Sequence, residues 1–259
     1  MSRDKFLLKK TSGRFSKNAS SSSKLSKMIS KGQWTKAEKF IDSHGMSIDL
    51  SECDDSILHQ ACRHQPPLDL IEKIVSLRPD LALLTNPDGQ VPLHIASQNG
   101  ASPDIIAFFC TPKRNTSGVQ DLWGRTALHL ACESYCANYT NTTILSTKKA
   151  FTKTVKTLIQ SSPATINVED VNGISAVEYA IESNIDLNNL RLIQKASERD
   201  WKRRAVERRS RIGRICQPHQ VQNFSLLGSA CSIICPWVEV ENDTRKLLIC
   251  YIKTYTSND

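Results

Sequence analysis

The sequence predicts an all-α solenoid of helix-turn-helix repeats joined by hairpin-like turns, and three observations carry that expectation. The pentapeptides LHQAC (Leu58–Cys62), LHIAS (Leu93–Ser97) and LHLAC (Leu128–Cys132) recur 35 residues apart. Between them, apolar residues fall at i, i+3, i+4 spacing, the pattern of an amphipathic helix. Glycine-bearing turns, PDG (87–89), DLWG (121–124) and DVNG (170–173), stand in one register ahead of successive copies. A fixed period of this length marks stacked supersecondary units.

The register extends to a fourth copy. VEYA puts Val177 in the leucine position 49 residues after Leu128, so 14 residues are extra. Ile71, Ile106 and Leu190 lie 13 residues beyond Leu58, Leu93 and Val177, whereas Val155 lies 27 beyond Leu128. Ile74, Phe109 and Leu158 each precede the next anchor by 19 residues. The insertion therefore belongs to copy three, within about 134–151.

Each copy reads as two helices. In the first, Ala61, Ala96, Ala131 and Ala180 share one slot, where a small side chain lets neighbouring helices approach. The second carries apolar runs such as Ile71, Ile74, Val75 and Ile105, Ile106, Phe109. Gly89, Gly124 and Gly173 supply the positive φ of a tight turn. Two residues later come Val91, Thr126 and Ser175, with Ser56 in copy one; three of these four are hydroxyl residues suited to helix N-capping. Upstream, Trp34, Ala37, Phe40 and Ile41 are spaced helically and suit a cap on the apolar end of the stack.

This pattern resembles the ankyrin repeat, D-x-x-G-x-T-P-L-H-x-A with a period near 33. DLWGRTALHLA (121–131) and DGQVPLHIA (88–96) carry the resemblance most closely. Copy one has Asp54 in place of the turn glycine, and copy four has Glu178 in place of the histidine. The proline-marked loops RPDLALLTNPDG and SSPATINVEDVNG are longer than the family's usual link. The expected layout is a disordered, basic, Ser-rich arm (1–31), a helical cap (32–50), four ankyrin-type repeats (51–196), a basic helical extension (197–214) and an unassigned tail (215–259).

His59/Cys62 and His129/Cys132 share a helical face, which raises a metal site, a Cys/His nucleophile pair or a structural repeat. His94 holds the same slot with Ser97 beside it, so the repeat does not require the cysteine. In the ankyrin family this histidine is structural, and the resemblance implies that role for His59, His94 and His129. A closed zinc site needs four ligands, and no second pair is spaced to complete one. Cys231 and Cys235, with Cys216 and His219, are too irregularly spaced for a metal cluster. No phosphate-binding loop or hydrolase motif is present. The expectation is a non-enzymatic chain with no cofactor and no metal.

Charge is uneven. Residues 1–31 and 199–214 together carry +14, leaving the remainder at −6 of the total +8. The second segment includes Lys202, Arg203, Arg204, Arg208, Arg209 and Arg211, a patch suited to nuclear targeting, to contact with nucleic acid or simply to a solvated helix. The arm suits phosphorylation or an organelle transit peptide. With no apolar leader in MSRDKFLLKK, the nine cysteines are expected as reduced thiols in the cytoplasm or nucleus. No apolar run reaches the roughly 18 residues of a membrane span. The expected function is recognition of a protein partner by a monomeric scaffold, with a nucleic-acid-contacting regulator as the alternative. The family resemblance implies contacts through the turn tips, Asn86, Asp88, Gln90, Asp121, Trp123, Arg125, Asp170, Asn172 and Ile174, and through the concave face with the exposed sides of the first helices.

Overall fold

Ten α-helices succeed one another along the described residues, 12–45, 55–140 and 145–215 of a computed structural model. They are α1 (Ser12–Ser30), α2 (Trp34–His44), α3 (Ile57–Arg63), α4 (Leu68–Leu77), α5 (Pro92–Gln98), α6 (Pro103–Phe109), α7 (Ala127–Glu133), α8 (Leu145–Ser161), α9 (Ala176–Glu182) and α10 (Leu187–Ile215). No strand occurs among these residues; an isolated antiparallel bridge joins Glu169 to Ser175. Two compact units divide the chain, Met1–Arg204 and Ala205–Asp259. The helical stack belongs to the first. Of the second, the described residues are the last turns of α10, where Ala205–Arg208 and Ser210 are exposed. Cys216, His219, Cys231 and Cys235 lie outside the described residues.

The first-helix row packs α1 on α3, α3 on α5, α5 on α7 and α7 on α9. A second row packs α2 on α4, α4 on α6 and α6 on α8. Within the stack α3 also packs on α4, α5 on α6 and α7 on α8, so the fold is an all-α solenoid of stacked helix pairs. Helices of seven residues are marginal alone and owe their stability to packing. Ala61, Ala96, Ala131 and Ala180 are all buried, as are Leu58, Leu93, Leu128 and Val177 beside them. Each large apolar side chain buried in this way stabilises by about 1.5–3 kcal/mol.

Helix α1 falls within the span 1–31 of the basic, Ser-rich arm, whose residues 1–11 lie outside the described residues. Leu25 and Ile29 are fully buried and Met28 packs beside them. Buried Ser22 is small enough for close approach, and Ser26 Oγ donates to Gln60 Oε1 at 2.6 Å. Three apolar residues among serines and lysines make a faint signal, yet α1 and α2 pack together and α1 continues the first-helix row against α3.

A first helix ends in each of copies one, two and four with a left-handed residue seven positions beyond its anchor: Gln65 (φ 51°), Gly100 (φ 64°) and Asn184 (φ 51°). In copy three that slot is Tyr135, where the insertion begins. Cys136–Thr140 is π-helical, and α8 is lengthened at its start. Asn138 Nδ2 donates to Gln98 O at 2.8 Å, while Cys136 Sγ lies 2.9 Å from Ser183 O. The inserted turn therefore clasps the ends of α5 and α9 on either side of α7.

The repeated histidines bind each repeat to the next. His94 Nδ1 accepts the Val91 N–H at 3.2 Å and His129 Nδ1 accepts the Thr126 N–H at 3.1 Å. Their protons therefore sit on Nε2, which donates onward: His94 to Val119 O and Arg125 O at 3.1 and 3.2 Å, His129 to Val168 O at 3.0 Å. His59 Nε2 likewise donates to Gln90 O at 2.9 Å while Ser56 Oγ lies 2.7 Å from Nδ1. Glu178 fills this slot in copy four, where Oε2 accepts the Ser175 N–H at 2.6 Å. A carboxylate serves there, since among the described residues α9 is followed by α10 and not by a further finger that would accept an Nε2 proton.

Two predictions follow from these junctions. Burial lowers the pKa of His59, His94 and His129 below 6.5, against the opposing pull of the carbonyls they face. Above about pH 6.5 both folded and unfolded chains hold these rings neutral; below it the unfolded chain takes up protons that the folded rings refuse. Stability should therefore fall on acidification, each ring contributing up to about 1.4 kcal/mol per pH unit, measurable by urea unfolding from pH 7.5 to 5.5. A flat profile would contradict the burial of these rings. Second, a Cβ at Gly124 would meet Asp170 Cα at 3.2 Å, whereas at Gly173 it meets nothing within 4 Å. With φ near 78° and 75°, both glycine-to-alanine changes cost about 1–2 kcal/mol for the left-handed backbone. Gly124→Ala should lose measurably more than Gly173→Ala in denaturant midpoint.

Candidate protein-interaction surface

Among the described residues three turns are built alike. The backbone N–H of Asn86, Asp121 and Asp170 donates to the carbonyl four residues on, at Gln90, Arg125 and Ile174. The N–H of Gly89, Gly124 and Gly173 closes each turn onto the carbonyl of that same Asx residue. Each Asx side chain then folds inward. Asn86 Oδ1 accepts from the N–H groups of Asp88 and Gln90, Asp121 Oδ1 from Trp123 and Arg125, and Asp170 Oδ1 from Asn172 and Ile174, all at 2.8–3.0 Å. This is the local side-chain-to-backbone bonding for which Asn and Asp are favoured in turns.

The turns also bond to one another. Leu122 N–H donates to Asp88 O at 3.0 Å, and Val171 N–H to Trp123 O at 2.9 Å. Such close approach is why a Cβ at Gly89 would meet Leu122 N at 3.0 Å. Asp170 is further held by the Tyr179 hydroxyl at 2.8 Å. Burial opposes its charge, but hydrogen bonds from Ile174, Tyr179 and Asn172 hold its carboxyl below the usual range.

This construction sorts the expected contact residues by exposure. Asn86, Gln90, Asp121 and Asp170 are buried, their side chains or backbones holding the turn. Arg125 is largely buried too, paired with Asp121 at 3.0 Å and reaching Glu133 at 3.4 Å. Ile174 is half-buried. Exposure falls instead on the two residues after each Asx: Pro87 and Asp88, Leu122 and Trp123, Val171 and Asn172. Leu122 is 68% exposed, Val171 66% and Trp123 42%, with the Arg125 guanidinium 4.9 Å from the Trp123 ring centre. Leu122 and Val171 were absent from the expected set; the D-x-x-G spacing carried the signal, since a side chain that caps its own turn pushes its two successors outward.

The basic patch divides as well. Asp200 is fully buried and draws in Arg203 Nη2 at 2.5 Å and Arg204 Nε at 2.7 Å. Asn167 Nδ2 also donates to Asp200, and Arg204 Nη2 donates to Ala164 O. Arg203 and Arg204 thus anchor α10 to the loop before α9 rather than standing free. Lys202 and Arg208 are exposed; the side chains of Arg209 and Arg211 lie outside the described residues.

The cysteines beside the histidines are packing residues. Burial pushes the Cys62 thiol up and that of Cys132 up to about 12, so neither is a thiolate near neutral pH. Among the described residues no group of three or more His, Cys, Asp or Glu is placed to hold a metal ion. None of the helices there is long and apolar enough to cross a membrane.

Comparison with known proteins agrees with this geometry. A family profile described as ankyrin repeats, in three copies, matches residues 58–152. NF-kappa-B inhibitor alpha of Rattus norvegicus is 29% identical over 146 residues, which are 54% of this chain and 45% of that protein. Its counterpart in Homo sapiens is 36% identical over 92 residues, 34% of this chain and 27% of that protein. The chain spans less than half the length of these curated relatives. The pair α9/α10 lies beyond the matched profile but repeats its cap, turn and alanine slot. Residues 58–152 are thus similar to ankyrin repeats, in keeping with the 35-residue period, the repeated turns and the stacked helices.

Proposed function

We propose that this chain is a non-catalytic recognition module that binds a protein partner through its row of fingertips, centred on Leu122, Trp123 and Val171. The observation that carries the reading is the exposure of these three large apolar side chains on turns whose polar residues face inward. A surface of this kind gains from covering, and a tryptophan backed by an arginine suits a central anchor. The fingers are pre-organised by the hydrogen bonds between them, so little ordering cost would accompany binding. Asp88 and Asn172 supply a polar margin. The repeats of the relatives belong to proteins named as inhibitors of NF-kappa-B, which supports action by occupying another molecule rather than by transforming a substrate. The nucleic-acid alternative loses two of its expected cations, Arg203 and Arg204, to Asp200.

Affinity purification tests the proposal. Proteins retained by the intact chain should be lost from Leu122→Asp/Val171→Asp and weakened at least about tenfold by Trp123→Ala, a change of roughly 1.4 kcal/mol in binding. Folding stability should shift by less than about 1 kcal/mol in Trp123→Ala, since an exposed cation–π contact contributes no more than that. Undiminished binding by the double variant would remove the fingertips as the contact surface. A matching loss of stability in Trp123→Ala would make that ring structural.

A further inference from the structure

We propose that the outward stripe of α10, Arg191, Lys195, Arg199 and Lys202, docks an acidic, extended segment of a protein partner. The inference rests on the reading of the chain as a protein-recognition module but uses residues apart from the fingertips. The inward side of α10 carries Asn189, Ile193, Ala196 and Asp200, all buried. At 3.6 residues per turn the four cations fall in one band on the other side of the helix, and each is exposed.

Their electrostatic situation differs from that of their neighbours. Arg203 and Arg204 spend their charge on Asp200, whereas no salt bridge to the stripe's four cations occurs among the described residues. Glu198, the one acid at the margin, leaves the stripe at net +3. Arg199 Nε donates to Lys195 O at 3.1 Å, which fixes the guanidinium while its terminal nitrogens stay available for a carboxylate.

Spacing and composition select the occupant. Successive cations four residues apart advance about 6 Å along the helix. Carboxylates at alternate positions of an extended chain recur about every 6.6 Å, so three of them can meet Arg191, Lys195 and Arg199 in turn. The stripe bears no aromatic ring on which a base could stack and no apolar row to enter a lipid surface. Trp201 lies aside, with the Arg204 guanidinium 5.9 Å from its ring centre.

The test uses the full chain and a fluorescent peptide of alternating Glu and Thr, followed by polarisation at low salt. Arg191→Gln/Lys195→Gln/Arg199→Gln should weaken binding at least about tenfold. Lys148→Gln/Lys149→Gln/Lys156→Gln, which removes as much charge from exposed positions of α8, should change it less than about twofold. A peptide with the same glutamates in one block should bind less well than the alternating one. Leu122→Asp/Val171→Asp should bind the alternating peptide normally, so failure of the stripe and failure of the fingertips are told apart. The proposal is overturned if the intact chain ignores the peptide or if both glutamine triples weaken it equally. It also falls if a single-stranded oligonucleotide of equal charge displaces the peptide at lower concentration, which would make the stripe a nucleic-acid surface. Should the α10 triple unfold more easily, Arg191→Lys/Lys195→Arg/Arg199→Lys must restore binding for the proposal to stand.

Discussion

At each junction between neighbouring repeats, a buried imidazole accepts a hydrogen bond at Nδ1 from the cap of its own helix or the hydroxyl beside it. At Nε2 it donates to backbone at or just before the following finger. Both bonds require the neutral ring with its proton on Nε2. An unpaired buried donor or acceptor costs about 1–3 kcal/mol, so a histidine at this slot satisfies two obligations in one side chain. The cost of leaving either unmet is what ties helix start and neighbouring turn into one geometry. Repeats of seven-residue helices have little other means of fixing their spacing, because each touches only its neighbours.

Everything at the finger row inherits that spacing. Once the histidines set the distance between turns, Leu122 and Val171 can donate their N–H groups to the preceding finger, and only glycine leaves room at Gly89 and Gly124. The inward-folded Asx side chains then decide what solvent sees. At Asp121 and Asp170 the acid stands inside while Leu122, Trp123 and Val171 stand outside, an inversion of the usual surface preference that the turn chemistry enforces. The copy-three insertion works on the same stack from another side, holding the ends of α5 and α9 through Asn138 and Cys136.

Much of this was legible in the sequence because repetition averages out local ambiguity. The 35-residue period, the 13- and 19-residue offsets and the shared alanine can be read directly, and the buried alanines of the first-helix row follow that register. The unread parts lack repetition. Helix α1 occurs once, and its apolar face is only Leu25, Met28 and Ile29 among polar residues, so the decisive term was a tertiary surface on α3. Asp200 reads as one acid in a basic run, yet burial makes it the anchor of α10 through Arg203, Arg204 and Asn167. The burial of Asn86, Asp121 and Asp170 within the turns was not legible from the finger register alone. A polar side chain that satisfies two backbone N–H groups of its own turn has no need of water.

The neutral, Nε2-protonated imidazole is observable directly by nitrogen-15 NMR of labelled histidine. The account predicts that His59, His94 and His129 show the Nε2–H form at pH 7 and take up a proton only below pH 6.5. Protons on Nδ1 at His94 and His129, or ordinary titration near 6.5 in the folded chain, would contradict it.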